Sequence, residues 1–240
     1  MLGQIPDTMP NEHYRPINIH GIINLYAYIF FAVLLIGFGI YFFLQTKKQE
    51  LKSVKRLKVG LGLFGITYGI TRILFVLMFN INPDVYYDMF ASLAYAVGMV
   101  GFTAMIWALE QVKYKKRYFF LVSISTTIIV IISAAMVIIL TLSGITATEL
   151  RINILYVIYI GSGIAMILII FLYIGLIRLS TGLIKKKAIY SFLGLIIMTL
   201  GILLDSQFFL GLEFIPLWIK MDLVPIITII GYLIFAINQI

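Results

Sequence analysis

Cysteine is absent from this 240-residue chain. Disulfides, thiolate metal sites, cysteine redox chemistry and palmitoylation are therefore excluded. Charge is scarce as well: Asp, Glu, Lys and Arg make up 12% of residues, where an ordinary globular domain has about one quarter. Histidine occurs only as His13 and His20. With Asp7 and Glu12 these could hold a metal, but their spacing is generic, so no metal is expected. No HExxH, GxSxG, P-loop or dinucleotide fingerprint occurs where its chemistry would require it, so neither enzymatic activity nor a cofactor is expected. Proline breaks no apolar run near its middle, and no relay of acids and histidines crosses one. The polar opening segment MLGQIPDTMPNEHYRP lacks the basic and apolar regions of a cleavable signal peptide.

What the chain does contain is apolar side chain, 62% of all residues. A helix needs about 20 mainly apolar residues to cross a hydrocarbon core of ~30 Å. Seven runs qualify, at residues 22–44, 59–79, 89–109, 118–142, 152–177, 188–209 and 223–237, the last being the shortest. The expected fold is all-α: one polytopic domain over residues 1–240, a seven-transmembrane-helix bundle in the lipid bilayer. The runs are continuous rather than alternating, which excludes a closed barrel. The net charge of +8 reflects topology, not nucleic-acid binding. Fourteen of the eighteen Lys and Arg lie in the links Lys47 to Lys58, Lys113 to Arg117 and Arg178 to Lys187, against Arg15, Arg151 and Lys220 at the opposite ends. The positive-inside rule then sets the N-terminus outside and the C-terminus inside the cell membrane.

The outer links carry helix-start signals. Asp88 is expected to cap the third span and Asp222 the seventh, with Pro225 in its first turn. Thr146-x-x-Glu149 has capping-box spacing. The aromatic segment FFLGLEFIPLWIKM, with Trp218, suits the outer interface. The basic link Lys47 to Lys58 is either a short amphipathic helix on anionic headgroups or a solvated connector. A pattern LGLxxxTxGI recurs from Leu61 to Ile70 and from Leu193 to Ile202. It suggests parallel repeats of spans one to three and five to seven linked by span four, an arrangement found in transporters.

Arg72 interrupts the second run, and a charge at mid-helix costs at least ~2.5–3.5 kcal/mol on insertion scales. Arg72 lies about 20 Å from Val59 and Asp205 about 26 Å from Ala188, both in the outer half. Gly65 and Gly69 share the helix face of Arg72, and Gly194 and Gly201 that of Asp205. Such glycine spacing marks close helix approach, so both charges are expected to point into the bundle and to pair. Asp88 and Asp222 at the rim are the alternative partners. Tyr68, Ser92, Tyr95, Tyr156, Tyr159, Ser206 and Gln207 lie in the same outer zone. A ligand-binding set of Arg72, Asp205, Tyr68, Tyr95, Tyr156, Ser206 and Gln207 would suit a small anionic or polar ligand; the alternative is a structural ion pair. The inner half holds Thr103, Ser123, Ser125, Thr126 and Thr127, which can bond back to their own helices. Glu110 and Arg178 at the inner boundary are expected to be solvated or paired.

Three stretches, Thr71-Arg72-Ile-Leu-Phe, Trp107-Ala-Leu-Glu110 leading into a basic loop, and Leu193-Gly-Leu with Gly201 and Asp205-Ser206, resemble those of uncharacterised archaeal seven-span membrane proteins. That resemblance implies the seven-span architecture and no particular activity. The topology also loosely resembles the microbial rhodopsins, but the last span, LVPIITIIGYLIFAI, lacks the lysine that retinal requires. SWEET-type sugar transporters resemble the repeat pattern, yet their proline tetrad is missing. The expected function is receptor-like or sensory binding at an outward-facing polar pocket. The alternatives are a small-solute transporter and a membrane scaffold or accessory subunit. With Ile240 following the last span directly, no output domain is expected, and a signal would pass to a cytoplasmic partner at the basic inner loops.

Overall fold

A computed structural model describes residues 19–80, 83–113, 117–144, 148–204, 219 and 223–239. Among these residues the chain is all-helical, with seven helices: α1 (Ile19–Thr46), α2 (Lys52–Asn80), α3 (Pro83–Lys113), α4 (Tyr118–Leu142), α5 (Thr148–Leu179), α6 (Gly182–Leu204) and α7 (Val224–Ile237). Helices α1 to α5 each carry a segment long and apolar enough to cross a membrane. Helix α7 is apolar but only 14 residues long, and α6 opens with Lys185, Lys186 and Lys187 before its apolar part.

The helices outrun the apolar segments at their basic ends. Lys52 to Lys58 form the first turns of α2, continuous with its membrane part, and not a separate helix or a connector. Lysine is a good helix former, so the backbone ladder runs on where hydropathy stops. At the opposite end α3 opens at Pro83, where a missing N–H costs nothing. Asp88 is therefore not a cap; it lies inside the helix, and its carbonyl accepts the Ser92 hydroxyl at 2.6 Å. Pro225 does occupy the first turn of α7. Asp222, residues 145–147 of the capping-box stretch, and residues 205–218 with Trp218 lie outside the described residues. Gly144, at φ +66°, takes the left-handed conformation that stops α4.

Helix α3 is the hub, with 61% of its apolar segment buried against 33% for α1, α4 and α5. It packs on α2, α4 and α5, while α7 packs on α6 and touches α1. Glycines set the closest approaches. A Cβ on Gly65 would come within 2.8 Å of the Leu35 carbonyl oxygen and 2.9 Å of Gly39 Cα, so α1 and α2 meet backbone to backbone. Between α6 and α7, Gly194 and Gly231 play the same part, each leaving no room for a side chain against the other helix. The two LGLxxxTxGI stretches differ here. Gly62 and Gly69 face the preceding helix α1, whereas Gly194 and Gly201 face the following helix α7, so matching letters make unmatched contacts.

Polar groups fasten the hub. Thr103 of α3 shares hydrogen bonds with Ser123 and Thr127 of α4 at 2.7 and 2.6 Å, all three side chains buried. These hydroxyls bond between helices, while Thr126 bonds back to Val122 as expected. Glu110 is not solvated, and among the described residues it meets no cation: it is 1% exposed, and its two oxygens accept the backbone N–H groups of Phe119 and Phe120 at 2.9 Å each. Helix α4 receives no side-chain cap from its own Arg117, so a residue of α3 supplies one. Arg178 is exposed.

Candidate functional site

Arg72 is 3% exposed, in the half of α2 remote from its lysines. Helical spacing puts Tyr68 one turn before it and Phe75 one turn after it on the same face. The Gly65 and Gly69 contacts press that region of α2 onto α1, which brings up Tyr28 and Phe31. The result is an aromatic cage. The guanidinium carbon lies 5.0 Å from the ring centre of Tyr68, 5.4 Å from Tyr28, 5.5 Å from Phe31 and 5.8 Å from Phe75. Arg72 Nη2 donates a 2.6 Å hydrogen bond to the Tyr68 hydroxyl, and the residue makes further interactions besides these. Each cation–π contact is worth about 0.5–2 kcal/mol. Such contacts offset part of the insertion cost of ~2.5–3.5 kcal/mol for a mid-helix arginine, beside the Tyr68 hydrogen bond.

Next to Arg72, Thr71 is also buried and ties α2 to α3. Its hydroxyl donates to Thr67 and Ala94 carbonyls at 3.0 and 3.1 Å, only one of which a single proton satisfies at a time. Tyr95 stands one ring further out, edge-on to Phe75 at 5.6 Å and to Tyr159 at 5.2 Å. Ser92 is fully buried and bonded to its own helix. Tyr156 is 52% exposed and does not join the centre. Asp205, Ser206 and Gln207 lie outside the described residues, and with them the expected Arg72–Asp205 pair. The N-terminal group of Asp7, Glu12 and His13 lies outside them too.

The cage continues inward as a column of rings. Tyr68 stacks on Phe64 at 5.4 Å and 12°, Phe64 meets Phe235 edge-on at 6.3 Å, and Phe235 meets Tyr173 at 6.1 Å. Phe31 joins it through Tyr232 at 5.6 Å. At its basic end the column closes on a polar contact, where Gln239 Nε2 donates to the Tyr173 hydroxyl at 2.9 Å. Helices α1, α2, α5 and α7 thus share one aromatic core reaching from Arg72 to the opposite end of the bundle. Sequence reasoning missed Tyr28, Phe31 and Phe75 as neighbours of Arg72. The available signal was an arginine flanked at helical spacing by Tyr68 and Phe75, with a second aromatic pair, Tyr28 and Phe31, on an adjoining helix.

Comparison with protein-family models, curated proteins and solved structures found no match to this chain.

Proposed function

We propose that the chain is a seven-span protein of the cell membrane, N-terminus outside, acting as a receptor-like or sensory unit for a small anionic or polar ligand. Arg72 is its recognition group, and it works without a cofactor or catalytic chemistry of its own. The observation that carries this reading is the buried guanidinium of Arg72. A cation held in a water-poor bundle acts on an anion far more strongly than it would in water. Intramembrane charges are functional candidates for that reason. The ring column from Tyr68 to Tyr173 gives a physical route by which movement at Arg72 would reach the basic end. A cytoplasmic partner would be met there.

The test is thermal unfolding of the purified chain in neutral detergent with acetate, inorganic phosphate or glutamate, each at matched ionic strength. One of these anions is expected to raise the melting midpoint of the wild type and to leave Arg72→Met unmoved. An equal response from both proteins would defeat the reading. Flux of the same labelled anion into sealed proteoliposomes would instead favour a transporter, although the unmatched contacts of Gly62 and Gly194 weaken the repeat on which that alternative rests. A second reading has its own observation. The closure of four rings over Arg72 favours an anchor that fixes α1 against α2.

A further inference from the structure

We propose that α6 and α7 form a rigid pair that swings as one body against α1 to α5, pivoting on the α5–α6 link. Two kinds of packing mark the boundary between the bodies. Within the pair, backbones touch: a Cβ on Gly194 would fall 2.7 Å from the Gly231 carbonyl oxygen, and one on Gly231 2.8 Å from Met198 Cα. Gly201 meets the Thr228 backbone nitrogen in the same way, at 3.0 Å. The larger body has seams of its own. Gly65 closes α2 on α1, and a Cβ on Gly60 would lie 2.7 Å from the Ala104 carbonyl oxygen of α3. Helices joined backbone to backbone through glycine move together.

Between the bodies the packing is of another kind. Each glycine of α6 or α7 that meets a neighbouring helix has its nearest contacts inside the pair, and no glycine of α1 to α5 has them there. Rings bridge the gap instead. Tyr232 of α7 meets Phe31 and Phe38 of α1 at 5.6 and 5.9 Å. Phe235 meets Phe64 of α2 and Tyr173 of α5 at 6.3 and 6.1 Å, and all four contacts are edge-on. Helices α6 and α7 accordingly pack chiefly on each other, with slighter contact to α5 and α1. A layer of side chains between separated backbones permits the small sliding of packed helices by which domains move.

The pivot lies at the basic end. Helix α5 stops at Leu179 and α6 starts at Gly182, so only two residues link them. Gly182 takes φ +57°, with nothing within 4 Å of its would-be Cβ. A few element-terminal residues of this sort make a hinge. Gln239 fastens the same end through its hydrogen bond to Tyr173, which leaves the Arg72 half as the end that moves. Tyr232 favours movement. Its ring is 1% exposed, yet its hydroxyl makes no hydrogen bond among the described residues. A phenol unbonded under such cover is costly, and displacement of α7 lets it find a partner. The swing does not depend on what Arg72 binds, although Phe31 belongs both to the cage and to the Tyr232 contact.

The experiment measures distances between spin labels on introduced cysteines in the full chain, reconstituted in liposomes; no native cysteine interferes. Tyr26→Cys/Ile226→Cys spans the two bodies. Leu200→Cys/Ile226→Cys lies within the pair and Tyr26→Cys/Ile73→Cys within α1–α2, and all four positions are exposed. The spanning pair is expected to show two distance populations, docked and displaced, where each internal pair shows one. Tyr232→Phe keeps the ring and removes the hydroxyl, so it should raise the ratio of docked to displaced by roughly two-fold or more. A single narrow distance across the bodies would overturn the swing. Two populations in all three pairs would overturn the rigid bodies. An unchanged ratio in Tyr232→Phe would overturn the part assigned to its hydroxyl.

Discussion

Glu110 closes the apolar part of α3 with a carboxylate that is 1% exposed yet meets no cation among the described residues. Its two oxygens instead hold the first free N–H groups of α4, those of Phe119 and Phe120. Orphan amides at a helix start are costly where water is excluded, and a carboxylate also complements the dipole there. Glu110→Ala should therefore lower stability by about 1–3 kcal/mol, seen as a fall of several degrees in the melting midpoint. Glu110→Gln keeps one acceptor oxygen and should lose about half as much. Equal loss from both variants would mean that burial of the stem, not acceptance of the amides, is what matters. Nothing in the local sequence distinguishes such a cap from a solvated boundary acid, because the amides it meets are nine and ten residues away. Arg72 is a different case. A lone cation in an apolar run stands out in any hydropathy reading, so its burial was legible. Its surroundings were not, since two of the four rings around it come from α1 and ring orientation leaves no trace in hydropathy.

Among elements, the α1–α2 pair carries the site. Gly65 lets the α1 backbone approach close enough for Tyr28 and Phe31 to reach Arg72. A methyl at Gly65 would strike the Leu35 carbonyl oxygen, which is backbone and cannot swing aside. Gly65→Ala is expected to cost about 1–3 kcal/mol through overpacking and to part the cage. Gly37, on the same pair, has nothing within 4 Å of its would-be Cβ, so Gly37→Ala should be neutral or slightly stabilising, by up to ~1 kcal/mol. Melting midpoints of the two variants check this, and similar losses from both would sink the close-approach account. The helices themselves were legible from apolar run length, and the α4 boundaries, residues 118–142, agree with the structure to the residue. The basic ends of α2 and α6 were not, because helical hydrogen bonding continues through lysines that a hydropathy window scores as loop. Gly-xxx-Gly spacing identified contact faces correctly for Gly65 and Gly69, but it could not say which neighbour each face meets. That is why the Leu61 and Leu193 stretches looked equivalent and pack differently.

On the scale of the whole molecule, charge and aromatic rings are sorted along the bundle axis. Basic residues gather at the end where α2 and α6 begin, Arg72 lies in the other half, and the rings from Tyr68 to Tyr173 join the two regions. The proposed orientation follows from that charge sorting, and the absence of native cysteine makes it directly measurable. An impermeant maleimide should label Ser143→Cys, at an exposed position just after α4, on intact cells. Lys48→Cys, in the α1–α2 link, should react only after permeabilisation. The opposite pattern would invert the topology and turn the Arg72 half toward the cytoplasm.

Whether Arg72 is retained for recognition or for architecture bears on every scale above it. The most direct measurement is the unfolding stability of Arg72→Met in neutral detergent, with no anion added. Methionine fills much of the same space without charge, and replacing a buried ion by a packed apolar side chain is often neutral or stabilising, by ~1–4 kcal/mol. A recognition group should therefore be lost with no fall in stability, or with a gain. A fall of about 3–5 kcal/mol, the usual result of breaking a buried ionic arrangement, would contradict the account and make Arg72 the anchor between α1 and α2.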